Sequence, residues 1–278
     1  MTRAFLFLLF TSVSIAATAQ DYAYGFKAGL NFNRIRGDAE TDDAGNEIES
    51  FSGNSGFHVG ATFSWKATEL MGVRGEFLFS QKGGRRKFEG QSYYIFDAGD
   101  DKRIFATGTR DMSLNITQSY IDIPVMGYFK PVSWLEIYAG GNVGFLVASS
   151  AFGDLKFSGV AQNGAVVSEI RHELDFSYHG DDPGEAEFAE PPASLTIGTE
   201  QVILPQKGGA YFEFSEDRGT LYKVIDAGVL GGISAFLSSS LYVSFRANIG
   251  LTDVTKSKAD VSLAKLDENN QFISRNDK

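Results

Sequence analysis

The sequence contains no cysteine, so no disulfide can brace the fold and no lipid can be attached to a cysteine behind a cleavage site. Beyond its first twenty residues it has no apolar run of the roughly 18 residues that a membrane helix needs. Positive charge is in deficit: 25 Lys and Arg face 35 Asp and Glu, a formal net charge of −10, which argues against nucleic acid as a partner. Proline is scarce at 6, whereas glycine reaches 31 and aromatics 13%. That balance suits strands and turns better than helices, and it is not a low-complexity composition.

The one short apolar run stands at the start. Thr2-Arg3 leads into Ala4 to Ile15, and Ala17-Thr18-Ala19 follows. A basic beginning, an apolar stretch too brief to cross a bilayer and a small-residue cleavage site are the parts of a secretory signal. Residues 1–19 are therefore expected to be removed, leaving a mature domain over 20–278. A buried N-terminal helix would need a polar stripe, which this segment lacks. An exported chain without disulfides draws its stability from a core or from a membrane.

Strict alternation is the dominant pattern in what remains. In Leu241 to Leu251 the odd positions Leu241, Val243, Phe245, Ala247, Ile249 and Leu251 are apolar, and the even ones are polar, small or amphipathic. Tyr22 to Asn33, Gly56 to Trp65 and the hairpin Tyr120 to Gly141 behave alike. Period-2 alternation gives a strand one apolar and one polar face. Strands are expected at about 22–33, 55–65, 71–82, 114–129, 134–149, 221–236 and 241–252. Lengths near ten residues are those of strands that cross a bilayer at a tilt.

The connections alternate as well: 66–70, 130–133 and 237–240 are short, whereas 34–54, 83–113 and 150–220 are long and polar. Short turns at one end and long loops at the other are the arrangement of outer-membrane barrels. Trp65 and Trp134 flank short turns, as an aromatic girdle requires, although Trp134 falls on the inward parity. The polar face carries Lys27, His58, Arg74, Glu76, Asp122, Glu136, Asp226 and Arg246, four acids against three bases and one histidine. Charges enclosed in a membrane barrel must balance, and these nearly do; a soluble barrel or sandwich would point them outward without that need.

Several of these stretches resemble a known family. "YGFKAGLNFNRIRGD" (24–38), "GFHVGATFSW" (56–65), "VRGEFLFSQKG" (73–83), "SYIDIPVMGYFKP" (119–131), "IYAGGNVGFLVAS" (137–149) and "SFRANIGLTDV" (244–254) are similar to the small, PorT-like outer-membrane β-barrels of Bacteroidota. The resemblance implies an all-β, antiparallel up-and-down transmembrane β-barrel of about eight strands in a Gram-negative outer membrane, and it implies no chemistry. A secretion role belongs to the name-giving relative alone. One departure stands out: seven strands are counted, and bacterial barrels have an even number. Either a closing strand is missing, which is the expectation, or the tail around Gln271 to Ser274 forms a poor eighth.

Catalysis finds little support in the sequence. His58 and Ser64 lie six residues apart on one strand, about 20 Å, so they cannot touch. His172 and His179 sit near Asp175, Asp181 and Asp182 at spacings that match no metal motif. Gly140-Gly141 and Gly228 to Gly232 lie inside strands with no helix following, so they are not phosphate loops. No cofactor, metal or catalytic residue is expected.

The long connections are the remaining functional signal. Residues 151–220 hold 13 acids against 4 bases and 34–54 hold 6 against 2, whereas 83–113 is near neutral with the basic cluster Arg85-Arg86-Lys87. Alternation at Ala165 to Phe176 suggests strands continuing above the membrane. The chain reads as a non-enzymatic barrel with a packed interior, its loops serving partner binding or envelope integrity. Outer-membrane lipid, including lipopolysaccharide, and other envelope proteins are the expected partners. A surface hydrolase and a secretion-apparatus component are the alternatives.

Overall fold

A computed structural model describes residues 21–100 and 102–275. The signal reading over 1–19 lies outside the described residues. Within them the chain is strand and loop with no α-helix. The order is β1 (Tyr22–Arg34), β2 (Glu49–Lys66), β3 (Met71–Asp97), β4 (Arg103–Val132), β5 (Leu135–Ala161), β6 (Val166–Ser177), β7 (Ala186–Glu187), β8 (Ala193–Ile197), β9 (Glu200–Leu204), β10 (Lys207–Gly208), β11 (Ile225–Phe236), β12 (Tyr242–Gly250), β13 (Val261–Leu266) and β14 (Phe272–Ser274). Fourteen strands replace the expected eight or so, because much of what reads as loop is strand.

Seven strands form a curled half-barrel in the order β1-β2-β3-β4-β5-β11-β12, every neighbour antiparallel. Six reversals return the chain to its starting direction, so β1 and β12 run the same way. Among the described residues these two strands form the free edges. The tail does not supply an eighth barrel strand. Residues Phe272–Ser274 pair with β13 alone, and that hairpin packs on β3, where Ser92 Oγ donates to the Leu263 carbonyl.

Above the half-barrel the sheet forks. Strand β5 pairs with β11 over Leu135 to Phe145 and with β6 over Ser150 to Val160. The β3–β4 hairpin continues without a break to Asp97↔Arg103, so residues 83–97 and 103–113 are ladder and the connection shrinks to 98–102. In the same way 150–161 and 166–177 are strand, and β2 begins at Glu49.

Strand β4 shows why one polypeptide builds both levels. Its odd residues point outward along its whole length and its even residues inward. From Phe129 to Ile121 the outward set is Phe129, Gly127, Val125, Ile123 and Ile121, apolar over about 27 Å of strand at ~3.4 Å per residue. From Ser119 upward it is Ser119, Thr117, Asn115, Ser113 and Asp111, all polar. The inward set changes near the same level, from a mixture of Tyr128, Met126, Asp122, Tyr120 and Gln118 below to the wholly apolar Ile116, Leu114 and Met112 above. Apolar groups face whatever is not water. Below the switch the non-aqueous medium lies outside, at the height of a lipid band. Above it the only non-aqueous medium is the molecule's own interior.

That upper interior is a packed core. Phe88, Tyr94, Phe96, Met112, Leu114, Leu155, Phe157, Val167 and Leu174 from β3 to β6 meet Ile197 and Val202 of the β8–β9 hairpin and Val261 of β13. The acidic segments expected as solvated loop thus close over an apolar centre. Ladder irregularities between Ser52 and His58 and at Ser119/Tyr120 fall where the faces invert. A bulge re-aims a strand, which suits the passage from membrane wall to cap.

Candidate functional site

The polar interior of the half-barrel is built from alternate residues of all seven strands and is layered in height. Lowest, the Arg74 guanidinium donates two hydrogen bonds to the Glu136 carboxylate, Nη1 to Oε1 at 2.7 Å and Nη2 to Oε2 at 2.9 Å, while its Nε donates to Ser64 Oγ at 2.9 Å. The Arg74 guanidinium also faces the rings of Tyr128 and Tyr242. In the middle, Glu76 accepts from Arg246 Nη2 at 2.7 and 2.8 Å and from Lys27 Nζ at 3.2 Å. Lys27 belongs to β1 and Arg246 to β12, so the two free edges are tied through one carboxylate of β3. Highest, Lys82 Nζ donates to Asp122 at 2.9 Å and to Asp226 at 3.2 Å.

All eight residues singled out in the sequence lie in this interior, seven of them in three clusters rather than one and His58 outside those clusters. Lys82 is the member that sequence reasoning missed. It shares the parity of Arg74 and Glu76, and it ends the expected strand 71–82, so alternation alone could have found it. Its inclusion brings the three clusters to four acids against four bases, with Lys130 at the lower rim a further cation 3.7 Å from Glu136. His58 is then not needed as a cation: its Nδ1 bonds Asn31 Oδ1 at 2.8 Å, and Asn31 Nδ2 donates to Ser80 Oγ at 3.1 Å.

Large side chains fill the space between the clusters. Tyr120, Tyr128 and Tyr138 are buried inward. Glycines opposite them make room: a Cβ on Gly72 would collide with the Tyr128 hydroxyl, and one on Gly232 would stand 2.5 Å from that of Tyr138. The two tryptophans sit at the short-turn end, and Trp134 lies in the β4–β5 turn itself, exposed, not inside as its parity implied.

A second set of buried charges, missed entirely in the sequence, organises the cap. Arg86 points inward to Glu49, which also accepts from Arg275 Nη1 at 2.8 Å. The basic cluster is thereby split, with Arg85 and Lys87 outside and Arg86 inside. Burial alone would raise the Glu49 carboxyl, but Arg86 and Arg275 outweigh it and hold it below the usual range. Arg110 donates from Nη2 to Glu213 at 2.7 and 3.0 Å and to the Tyr93 carbonyl at 2.6 Å. These charges stand on the inward parity of long strands, and their signal was hidden because the segment reads as loop.

The other histidines offer no catalytic set. His172 is buried edge-on to Tyr94 and Phe212, and burial pushes its pKa down to about 4. His179 is exposed, and partial burial of its ring together with nearby Lys256 lowers its pKa. Among the described residues no three His, Asp or Glu side chains gather where they could hold a metal ion. A cleft of about 570 Å³ on the outer side of the cap is lined by Asp111, Ser113, Lys156, Arg171, His172 and Glu173, with Lys156 and Asp111 paired at 3.7 Å. Ser113 and His172 stand on β4 and β6 with β5 between them, in neighbouring rows of the ladder, and no hydrogen bond joins them.

Residues 18–256, most of the chain, match the family described as outer membrane protein beta-barrel domain. No curated protein and no solved structure is significantly similar to it. An apolar outer band, a balanced charged interior and this match agree, and the chain belongs to the outer membrane protein beta-barrel domain family, as an integral protein of the outer membrane.

Proposed function

We propose that the protein is a non-enzymatic, non-conducting barrel of the PorT-like Bacteroidota kind, whose cap serves partner binding or envelope integrity. The observation that carries this reading is the inversion along β3, β4 and β5. The charged interior at membrane level runs directly into the apolar core of Phe88, Leu114, Leu155 and Phe157 on the same inward faces. Ions entering from below meet Arg74–Glu136 and Glu76–Arg246 pairs that already satisfy one another, then an apolar core whose own buried charges, Arg86–Glu49 and Arg110–Glu213, are likewise paired. The seven strands of the half-barrel surround an interior that side chains such as Tyr120, Tyr128 and Tyr138 already fill.

The cap then becomes the working surface. Its outward residues are polar and predominantly acidic, as in Glu169, Glu173, Asp175, Glu185 and Glu187, which suits protein partners in the envelope and speaks against nucleic acid. Hydrolysis is not supported by the histidine geometry.

Purified protein in planar bilayers and in sugar-loaded vesicles tests the reading. The expectation is no stepwise conductance and no swelling. Steady ion conductance from the unaltered chain would sink the closed-interior argument, and an esterase activity lost in His172→Gln with the fold retained would sink the non-enzymatic one.

A further inference from the structure

Just above the apolar band the outward residues differ by sector. The β-ladder places Arg34 opposite Gly53, Ser52 opposite Arg85, Arg85 opposite Asn115 and Asn115 opposite Phe152, so these form one row across β1 to β5. On β4 the residues near this row are Asn115, Thr117 and Ser119, and beyond β11 the cation Lys223 is paired with Asp253 at 2.8 Å. Along this row from β1 to β5, unpaired positive charge is confined to β1 and β3. Arg34, Arg36 and Arg85 are all exposed, and none has an ion pair among the described residues, whereas the adjacent Lys87 is taken up by Glu89 at 2.6 Å. In a chain with a net charge of −10 this concentration is against the trend.

The spacing is suited to a ligand. Arg34 and Arg85 are separated only by β2, two strand spacings or about 10 Å. The β2 residues between them are Gly53 and Ser52, so nothing taller than a hydroxymethyl stands between the two guanidinium arms. Ile35 lies against Gly84, its nitrogen 3.0 Å from where a Cβ would be, and this holds the chain at 34–36 beside Arg85. Two residues below Arg34 on the same face is Phe32, fully in the apolar band. The three arginines therefore stand at headgroup height over a lipid-facing wall.

We propose that Arg34, Arg36 and Arg85 form a binding site for the phosphate groups of an outer-leaflet glycolipid, whose acyl chains lie against Phe32, Phe57 and Phe79. Guanidinium recognises phosphate through paired N–H donors, and the planar fork loses little freedom on binding. The site rests on the reading that the apolar face meets lipid, and it adds which lipid chemistry and which sector. Because Arg86 turns inward to Glu49, the sequence cluster Arg85-Arg86-Lys87 is not the site; the site is assembled across three strands.

The test uses the full chain inserted in phosphatidylcholine vesicles doped with bis-phosphorylated lipid A, compared with the dephosphorylated lipid, with retention measured after detergent extraction by native mass spectrometry. Arg34→Gln/Arg36→Gln/Arg85→Gln is compared with Lys66→Gln/Lys258→Gln/Lys265→Gln, which removes equal charge elsewhere. From the contribution of each cation near a lipid surface, the first triple should lose about a hundredfold in apparent affinity and the control should not. Equal binding by both triples, or equal binding of the dephosphorylated lipid, would overturn the site. Displacement of the lipid by millimolar inorganic phosphate would overturn the lipid as ligand. A wild-type chain that stays in the aqueous phase would overturn the membrane reading beneath it, an outcome distinct from the others.

Discussion

Replacing Glu76 by Gln tests whether the interior is packed or wet. The Glu76 side chain is fully buried, and the three hydrogen bonds it receives come from Arg246 and Lys27, whose side chains keep only 13% and 10% of their exposure. The Glu76→Gln change would keep the shape and remove the anion, leaving two cations facing each other inside the barrel. Removing one side of a buried ion pair costs about 3–5 kcal/mol, whereas the same change in a hydrated pair costs about 1 kcal/mol or less. With a urea dependence of about 2–3 kcal/mol per molar, the packed case moves the unfolding midpoint down by about 1–2 M. Folded and unfolded protein can be separated by gel mobility of unheated samples from vesicles. Glu76→Gln/Arg246→Gln should recover part of the loss, since it leaves one buried cation instead of two. A midpoint that stays within about 0.3 M of wild type would refute the packed interior and reopen the question of a water-filled path.

Four further outcomes follow from the geometry. Val125→Arg and Thr117→Arg lie on the same face of β4, below and above the polarity switch; the first should cost about 2–4 kcal/mol or block assembly, and the second should cost little in the same urea assay. Leu114→Ala empties part of the cap core and should lower cap stability by about 2–5 kcal/mol, read by near-ultraviolet circular dichroism of Tyr94, Tyr178 and Tyr211. His172 should make the cap acid-sensitive: its folded pKa of about 4 lies below the ordinary 6.5, so the unfolded chain takes up the proton first. Stability is then complete above pH ~6.5 and falls towards pH ~4 by about 3 kcal/mol in all, and a His172→Phe variant that keeps the same slope would disprove the assignment. Finally, β1 and β12 run in one direction, so a ten-residue alternating strand appended to run back between them would be antiparallel to both; a rise in heat resistance on unheated gels is expected, and no change would show that the edges are already satisfied.

Reading the sequence was most effective where one solvent boundary held over a whole strand. Leu241 to Leu251 and Tyr22 to Asn33 alternate cleanly because lipid lies on one side and fixed charges on the other, and which face each residue of β1, β2 and β12 takes follows from that alone. Alternation gave the parity of Glu76, Asp122 and Arg246, and hence their enclosure. It could not give partners. That Arg246 reaches Glu76 across 170 residues, that Arg74 chooses Glu136, and that Lys82 rather than His58 balances the interior depend on how far the sheet curls and on strand stagger.

The upper half was misread for a physical reason. At Ser119 the outward face turns polar while the inward face turns apolar, and a window spanning both levels sees the two patterns cancel. Residues 83–113 and 150–164 therefore look like loop, although each half alternates in its own right, as Ala165 to Phe176 already shows in the sequence. What the sequence determined by itself was the local alternation, set by the pleat of each strand and independent of anything far away. What only the tertiary structure decided was which medium each face meets, because the cap supplies its own apolar interior from segments as distant as Phe88, Ile197 and Val261. A strand cannot carry in its own residues the identity of the surface that will cover it.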